Sequence, residues 1–157
     1  MPDMLVKLYT LPPLAPLVAG QQAAGVTIRR ALAPEQHVVL AWVARHFDAG
    51  WQSECAVSFA RQPIACWLAT SGEALLGFAC YDVTARGFFG PTGVDPAARG
   101  RGIGKVLLVA ALQSLFDAGY AYAIIGGVGP ADFYAASVGA TIIPDSDPGI
   151  YGGLLKS

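Results

Sequence analysis

Apolar residues recur along the chain in two different periods, and these periods predict a mixture of helices and strands. Helical spacing is clearest over residues 102–118, where apolar side chains form one stripe and Gly119 marks the end of the helix. An almost continuous apolar run over residues 122–128 is typical of a strand that is covered on both faces. The stripe of the long helix must therefore pack against a sheet.

The same patterns predict the other elements of an α/β chain. Helices are predicted over residues 13–24, 34–47, 53–60 and 132–138, and strands over residues 5–11, 26–32, 65–70, 74–83, 87–94, 140–143 and 150–155. Turns at residues 71–72 and 85–87 separate three successive strands and indicate an antiparallel meander. The first strand is expected at a sheet edge, and the last two strands are expected to pair with each other.

Composition limits the classes of protein that the chain can belong to. The 157 residues, of which 54% are hydrophobic and 13% charged, are enough for one domain with a substantial core. A net charge of -1 leaves no broad basic field, so neither nucleic acid nor a membrane surface is an expected partner. Prolines at positions 12, 13 and 16 interrupt the apolar start before a signal-peptide core or a membrane span can form. We therefore expect a soluble cytoplasmic protein.

The cysteines and histidines do not show the spacing of a metal site. Cys55, Cys66 and Cys80 are odd in number and far apart in sequence, which favours buried free thiols. His37 and His46 are nine positions apart in a predicted helix, so they do not form a helical ligand pair. No metal is expected.

A glycine-rich basic loop between a predicted strand and the long helix carries the clearest chemical signal. Glycines let main-chain N–H groups approach a ligand closely, and the start of the helix directs its unpaired amides to the same point. Arginine and lysine side chains add charge that suits a diphosphate. The predicted anion site comprises Arg99, Gly100, Arg101, Gly102, Ile103, Gly104 and Lys105.

The spacing of this loop excludes two common phosphate-binding motifs. Arg99 and Val106 stand where a P-loop needs glycine and Ser or Thr, and Lys105 replaces the third glycine of a dinucleotide fingerprint. The loop does fit Arg-x-x-Gly-x-Gly preceded by Val-x-Pro, at Val94 and Pro96. This pattern resembles the acyl-CoA pyrophosphate loop of the GNAT superfamily of N-acyltransferases. The alternative is an ordinary glycine-rich turn with solvated basic residues.

The resemblance implies a fold and a cosubstrate. It implies a single GNAT-type domain over residues 26–157, with a mixed central sheet whose middle strands splay apart and are flanked by helices. Residues 1–25 would be an N-terminal strand and helix packed on that domain. Acetyl-CoA would be the acyl donor, with its pyrophosphate on the loop and its pantetheine amides on the main chain of Thr92, Gly93 and Val94.

A Phe-Tyr pair at the start of the last predicted helix resembles a second GNAT motif. The resemblance implies that the hydroxyl of Tyr134 acts as the general acid that protonates the leaving thiolate. The alternative is a core tyrosine with a satisfied hydroxyl. Gly127 and Pro130 depart from the family, which often has Asn and Ala there, although Gly127 could still offer backbone groups.

The acceptor and the general base stay open at this point. The expected reaction is direct attack by a primary amine, on a small molecule or a peptide, and the chain could also form a homodimer. Asp82, Glu54 or a water chain could accept the proton of the amine. The alternative functions are a non-catalytic acyl-CoA sensor and transfer of a different acyl group. The resemblance implies an acceptor site near Trp51, Phe88, Phe89 and Tyr151, which could equally serve packing. Asp145 and Asp147 are typical turn residues that could also attract an ammonium group.

Overall fold

A computed structural model describes residues 1–156 and contains one mixed sheet with helices on both faces. The strands are β1 Met4–Lys7, β2 Thr27–Arg30, β3 Cys66–Ser71, β4 Ala74–Tyr81, β5 Phe88–Val94, β6 Tyr122–Ile125 and β7 Thr141–Ile142. The α-helices are α1 Leu14–Ala23, α2 Gln36–His46, α3 Ala49–Ser58, α4 Ile103–Asp117 and α5 Ala131–Val138. Short 3-10 turns cover Leu8–Thr10, Ala33–Glu35, Pro96–Ala98 and Gly149–Tyr151. The predicted α/β class is confirmed.

The sheet opens in its middle, as the family resemblance implies. Its strand order is β2-β3-β4-β5-β6-β1-β7, and all neighbouring strands are antiparallel except the parallel pair β5 and β6. The register of that parallel pair holds Phe88 against Ile124 and Phe89 against Ile125, and then the two strands diverge. The remaining part of β5 keeps only its β4 neighbour, which leaves a gap in the sheet beside Thr92 and Val94.

The prediction of an edge strand at residues 5–11 is wrong. Strand β1 lies between β6 and β7 and is antiparallel to both. Met4 and Val6 are at most 2% exposed, and Leu8 after the strand is equally buried. An interior position satisfies both the buried side chains and the main-chain groups on either side of the strand.

The predicted final strand at residues 150–155 is also wrong. Gly149 and Gly153 have φ values of +59° and +79°, so the backbone leaves the extended region at both positions. Leu154 and Leu155 are 62% and 100% exposed and contribute nothing to the core. Strand β7, which was expected to pair with this segment, pairs with β1 instead.

The core consists of two apolar layers, one on each face of the sheet. The apolar stripe of α4 is buried against one face, with Leu107, Leu112 and Leu115 fully inaccessible. Helices α2 and α3 cover the other face, where Phe78 of β4 is fully buried. No helix within residues 1–156 combines the length and the apolar character that crossing a bilayer requires.

Candidate functional site

A cavity of about 870 Å³ lies where β5 and β6 diverge. The outer part of β5 and the loop before α4 form one wall, and the residues after β6 together with α5 form another. Helix α3 and the C-terminal segment close the end that is opposite the loop. The gap between β5 and β6 therefore forms the floor of this cavity, or cleft. The loop before α4 lies at one end of it, and α3 with the C-terminal segment lies at the other.

The predicted cofactor-binding residues lie on one side of this cavity. Thr92, Gly93 and Val94 contribute the strand wall, and the loop contributes Arg99, Gly100, Gly102, Ile103, Gly104 and Lys105. Arg101 lies outside the cavity lining and is exposed. The structure thus brings together all members of the predicted set except one.

Two left-handed glycines shape the loop. Gly100 and Gly102 have φ values of +78° and +77°, a region that residues with a Cβ rarely adopt. Helix α4 begins directly after Gly102, and no side chain caps it. Its first N–H groups therefore point out of the helix without an internal acceptor, and together with Arg99 and Lys105 they make this end of the cavity electropositive.

A contact that sequence reasoning missed anchors this loop from outside. The Gln21 side chain on α1 donates a hydrogen bond from Nε2 to the Arg101 carbonyl at 2.8 Å. From the other side, the Arg99 Nε group lies 3.4 Å from the Val94 carbonyl, its acceptor. Gln21 and Arg101 are 80 positions apart, so no local pattern could indicate the contact.

The main chain of β5 presents hydrogen-bonding groups to the gap. Asp95 donates its N–H to the Leu76 carbonyl of the β4 side at 2.8 Å. Because successive peptide groups of a strand alternate in direction, the amides of Val94 and Thr92 face the opposite side, toward the cavity. The Thr92 hydroxyl donates to the Phe78 carbonyl at 3.0 Å and so fixes this part of the strand on β4.

Gly93 has a packing role on the other face of the sheet. The Phe47 ring occupies the space that a Cβ at Gly93 would need. This ring belongs to an aromatic group on the α2 and α3 side, in which Phe47 and Trp51 have ring centroids 4.7 Å apart. The glycine therefore allows α2 and α3 to sit close to the cavity.

Tyr134 lies on α5 and reaches the cavity from the α4 side. Its ring makes an edge contact with Phe89 at a centroid distance of 6.3 Å, and the residue is 7% exposed. Burial raises the pKa of the Tyr134 phenol to about 12. Within residues 1–156 its hydroxyl makes no hydrogen bond, although it lines the cavity. A core tyrosine with a satisfied hydroxyl does not match this environment.

The end of the cavity opposite the loop carries a carboxylate. The Thr84 hydroxyl donates to Glu54 Oε1 at 2.5 Å, and both residues line the cavity. Asp82, the other base candidate, accepts a hydrogen bond from the Gly87 N–H at 2.7 Å in the turn between β4 and β5 and does not line the cavity. The structure therefore assigns Asp82 to the turn and leaves Glu54 at the site.

Tyr151 completes this second end. Its hydroxyl occupies the space where a Cβ of Gly126 would be, and Phe88 packs against the same glycine. Burial, with the nearby charges of Glu54 and Asp3, raises the pKa of the Tyr151 phenol to about 12. Trp51 and Phe89 also line the cavity, whereas Phe88 lies beside it.

The two aspartates considered near the acceptor site have different places. Asp147 lies at the rim of the cavity, where its Oδ1 is 2.8 Å from the Met1 ammonium group. Asp145 is exposed and does not line the cavity.

The backbone N–H of Gly127 is already hydrogen-bonded within the protein. Its N–H donates to the buried carboxylate of Asp3 at 2.8 Å, so this group is not free to bind a ligand. The φ of Gly127 is +53°, which ends the extended conformation and makes β6 shorter than predicted. Asp3 thereby connects the end of β6 to the segment that precedes β1.

The three cysteines come together although they are distant in sequence. Their sulfur atoms lie within 4.8 Å of one another, on α3, β3 and β4, and all three residues are buried. Cys66 and Cys80 are direct partners in the β3 and β4 register. Burial raises the pKa of the Cys80 thiol well above its usual range, and the neighbouring thiols add to this shift. The prediction of buried free thiols is confirmed.

Comparisons with known proteins identify the architecture. The family model described as "Acetyltransferase (GNAT) family" matches residues 32–138. A GCN5-related glucosamine N-acetyltransferase region of a fungal multi-domain GH3 beta-N-acetylglucosaminidase superposes with a TM-score of 0.72 at 16% identity, over 90% of this chain and 19% of that one. No curated protein matches the chain.

Two bacterial structures give similar results. A GCN5-related N-acetyltransferase from Sphaerobacter thermophilus has a TM-score of 0.66 and 20% identity, over 90% of this chain and 48% of that one. Another from Kribbella flavida has a TM-score of 0.62 and 22% identity, over 90% of this chain and 53% of that one. The chain therefore spans about half or less of the length of these neighbours, with which it shares the fold.

Proposed function

Because the chain belongs to the GNAT acetyltransferase family, we propose that it is an N-acetyltransferase that transfers an acetyl group from acetyl-CoA to a primary amine. One observation carries this proposal: a single cavity joins the anion-binding loop at Gly102, the open edge of β5 and the hydroxyl of Tyr134. An acyl-CoA needs these three features in this order, since its diphosphate, its amide-bearing arm and its thioester follow one another along the molecule.

Each part of the cosubstrate has a matching part of the cleft. The diphosphate would take the free N–H groups at the start of α4 with Arg99 and Lys105. The pantetheine amides would pair with the main chain of Thr92 and Val94, as an added strand would. The thioester would then lie in the gap between β5 and β6, next to Tyr134.

The proposed reaction is addition of the amine followed by loss of the thiol. The amine nitrogen attacks the thioester carbonyl carbon, so that a C–N bond forms and the carbonyl oxygen takes up negative charge. When the carbonyl re-forms, the C–S bond breaks and the sulfur leaves with its electron pair. Tyr134 donates its proton to that sulfur and recovers a proton released by the amine through solvent. The raised pKa keeps the phenol in its donating form at neutral pH.

Binding of CoA is the first test of the proposal. At roughly 100 times its Kd, CoA should stabilise the protein by about 2.7 kcal/mol, measured as a rise in melting temperature. We expect Gly102→Ala to lose most of this rise, because a side chain strains the backbone at a φ of +77° and its Cβ would lie 3.3 Å from the Gln21 Nε2 that anchors the loop. Gly72→Ala is the matched control, since Gly72 also has a positive φ, of +58°, but lies in the β3 and β4 turn. Absence of any shift with CoA would overturn the proposal.

Turnover separates the enzyme from a sensor that only binds acyl-CoA. We expect release of free thiol from acetyl-CoA when primary amines are added, measured with a thiol reagent after removal of protein. Controls without amine correct for hydrolysis. A protein that binds acetyl-CoA and releases no thiol with any amine of a broad panel would be the sensor.

A further inference from the structure

We propose that Glu54, Thr84 and Tyr151 form an acceptor subsite that selects a primary ammonium group carried on an uncharged apolar arm. The inference rests on the proposed function, because it names the substrate class that the same cavity would accept. It is carried by three observations: the face of the sheet on which these residues lie, the unpaired charge of Glu54 and the apolar walls around it.

The two cavity tyrosines lie on opposite faces of the sheet at the same gap. Tyr134 packs against Phe89, which belongs to the core layer of α4. The Tyr151 hydroxyl sits on Gly126 next to Phe88. Phe88 and Phe89 are consecutive in β5, and consecutive strand residues point to opposite faces. An amine bound near Tyr151 would therefore approach the thioester from the side opposite to the proton donor.

Glu54 is on the Tyr151 side and has room for a cation. It belongs to α3, whose Trp51 packs on Phe78 at a centroid distance of 6.3 Å, on the face that α2 and α3 cover. Its Oε1 accepts the Thr84 hydroxyl, and within residues 1–156 the carboxylate forms no ion pair. A half-buried carboxylate with one neutral partner can still bind an ammonium group, which would supply the missing countercharge.

The rest of the subsite is apolar. Trp51, Pro148 and the ring of Tyr151 line the cavity around Glu54. An arm with its own anion would meet Glu54 without a free cation beside it, because Arg99 and Lys105 stand at the other end of the cleft and the Met1 ammonium group is paired with Asp147. Aromatic and aliphatic arms fit these walls, and α-amino acids, which carry a carboxylate beside the amine, do not.

The experiment compares two probes that differ in charge. The probes are 2-phenylethylammonium and 2-phenylethanol, and calorimetry on the full chain measures their binding with and without saturating CoA. We expect Glu54→Gln to weaken the ammonium probe about tenfold or more and the alcohol less than twofold. Gln keeps the size of the side chain and an oxygen for the Thr84 hydroxyl. Glu73→Gln, an exposed carboxylate in the β3 and β4 turn, is the matched control and should change neither.

Three results would overturn the inference. In the first, Glu54→Gln weakens both probes equally. In the second, Glu54→Gln leaves binding of the ammonium probe unchanged. In the third, the wild-type protein does not bind the ammonium probe. The melting-temperature rise with CoA and the thiol release with a broad amine panel test the proposed function separately. Suppose that CoA stabilises the wild type and Glu54→Gln and that amines release thiol, but that Glu54→Gln does not weaken the ammonium probe more than the alcohol. In that case the acceptor inference alone fails.

Discussion

At the scale of single residues, Tyr134 differs from a structural tyrosine because its ring is fixed while its hydroxyl is free. The ring is held by Phe89 and by Phe133, whose centroid is 5.2 Å away. The hydroxyl has no protein partner within residues 1–156 and faces the cavity. The proposed proton donor would need this combination, because the ring is oriented while the hydroxyl stays available to a ligand.

Substituting Tyr134 with Phe separates its chemical role from its packing. We expect Tyr134→Phe to lower turnover of acetyl-CoA with a reactive amine by about a hundredfold to ten-thousandfold, the range typical of lost proton transfer. The affinity for CoA should change little, because the ring remains. Steady-state kinetics and CoA titrations on one preparation measure both. A fully active variant would remove Tyr134 from the mechanism.

The same substitution should change how stability depends on alkaline pH. The pKa of Tyr134 is about 12 in the folded protein, against 10 for a free phenol, so the folded state keeps this proton up to a higher pH than the unfolded state does. Its contribution is complete below pH 10 and is lost as the pH rises from 10 to 12. The loss amounts to about 2 kcal/mol of unfolding free energy. Urea unfolding should show a larger loss in the wild type than in Tyr134→Phe, which keeps the similar contribution of Tyr151; parallel curves would contradict this assignment.

At the scale of elements, the sequence predicts the parts whose cause is local. The apolar stripe of α4 is a property of neighbouring residues and is predicted correctly. The positive φ values of Gly100 and Gly102 are seen only in the structure. The position of β1 in the sheet depends on residues that are distant in sequence, because Met4 pairs with Ile125 and with Ile142. A short apolar strand shows that it needs partners and does not show which ones.

The site follows the same division. The loop and Tyr134 lie within short motifs that the sequence singles out, and both line the cavity, while their roles in binding and catalysis stay predictions. The pairing of Glu54 with Thr84 joins residues 30 positions apart, on a helix and in a turn. The sulfur cluster of Cys55, Cys66 and Cys80 likewise depends on the β3 and β4 register, which residue spacing does not reveal.

Helix α1 provides a prediction at this scale. Because Gln21 holds the Arg101 carbonyl at 2.8 Å, Gln21→Ala should loosen the loop and weaken CoA binding several-fold. Stability should change by less than about 1 kcal/mol, since the bond is exposed. Gln22→Ala on the same helix is the control and should leave CoA binding unchanged. Equal affinities of the two variants, measured by calorimetry, would show that the contact does not support the site.

At the scale of the whole molecule, the opposite charges of the cleft are kept apart within a chain of net charge -1. Arg99 and Lys105 stand at the loop end, and Glu54 stands at the α3 end of the same cavity. A polyanionic cosubstrate and a cationic acceptor would therefore be drawn to different entrances, with the thioester between them. This separation explains how two substrates could occupy one gap without competing for it.

Removal of residues 1–25 tests whether this segment can be separated from the rest of the chain. The division at residue 25 stays a prediction, but the deletion also removes Met4, Val6 and Leu8 from the core. Their burial is worth about 5 to 9 kcal/mol, comparable with the whole stability of a typical domain. We expect the shortened chain to lose cooperative unfolding in circular dichroism. Truncation after Gly153 is the control, and a shortened chain that melts like the wild type would contradict the prediction.

The interior position of β1 also has a consequence for the order in which the protein can be completed in the cell. Strand β1 is made early, and its partner β6 at Tyr122–Ile125 is made more than a hundred residues later. At ordinary elongation rates the apolar β1 segment waits on the order of ten seconds for its neighbour. During that interval its edges are open to strands of other chains. A chaperone that shelters the nascent β1 segment should therefore raise the yield of folded protein more than one that acts after release.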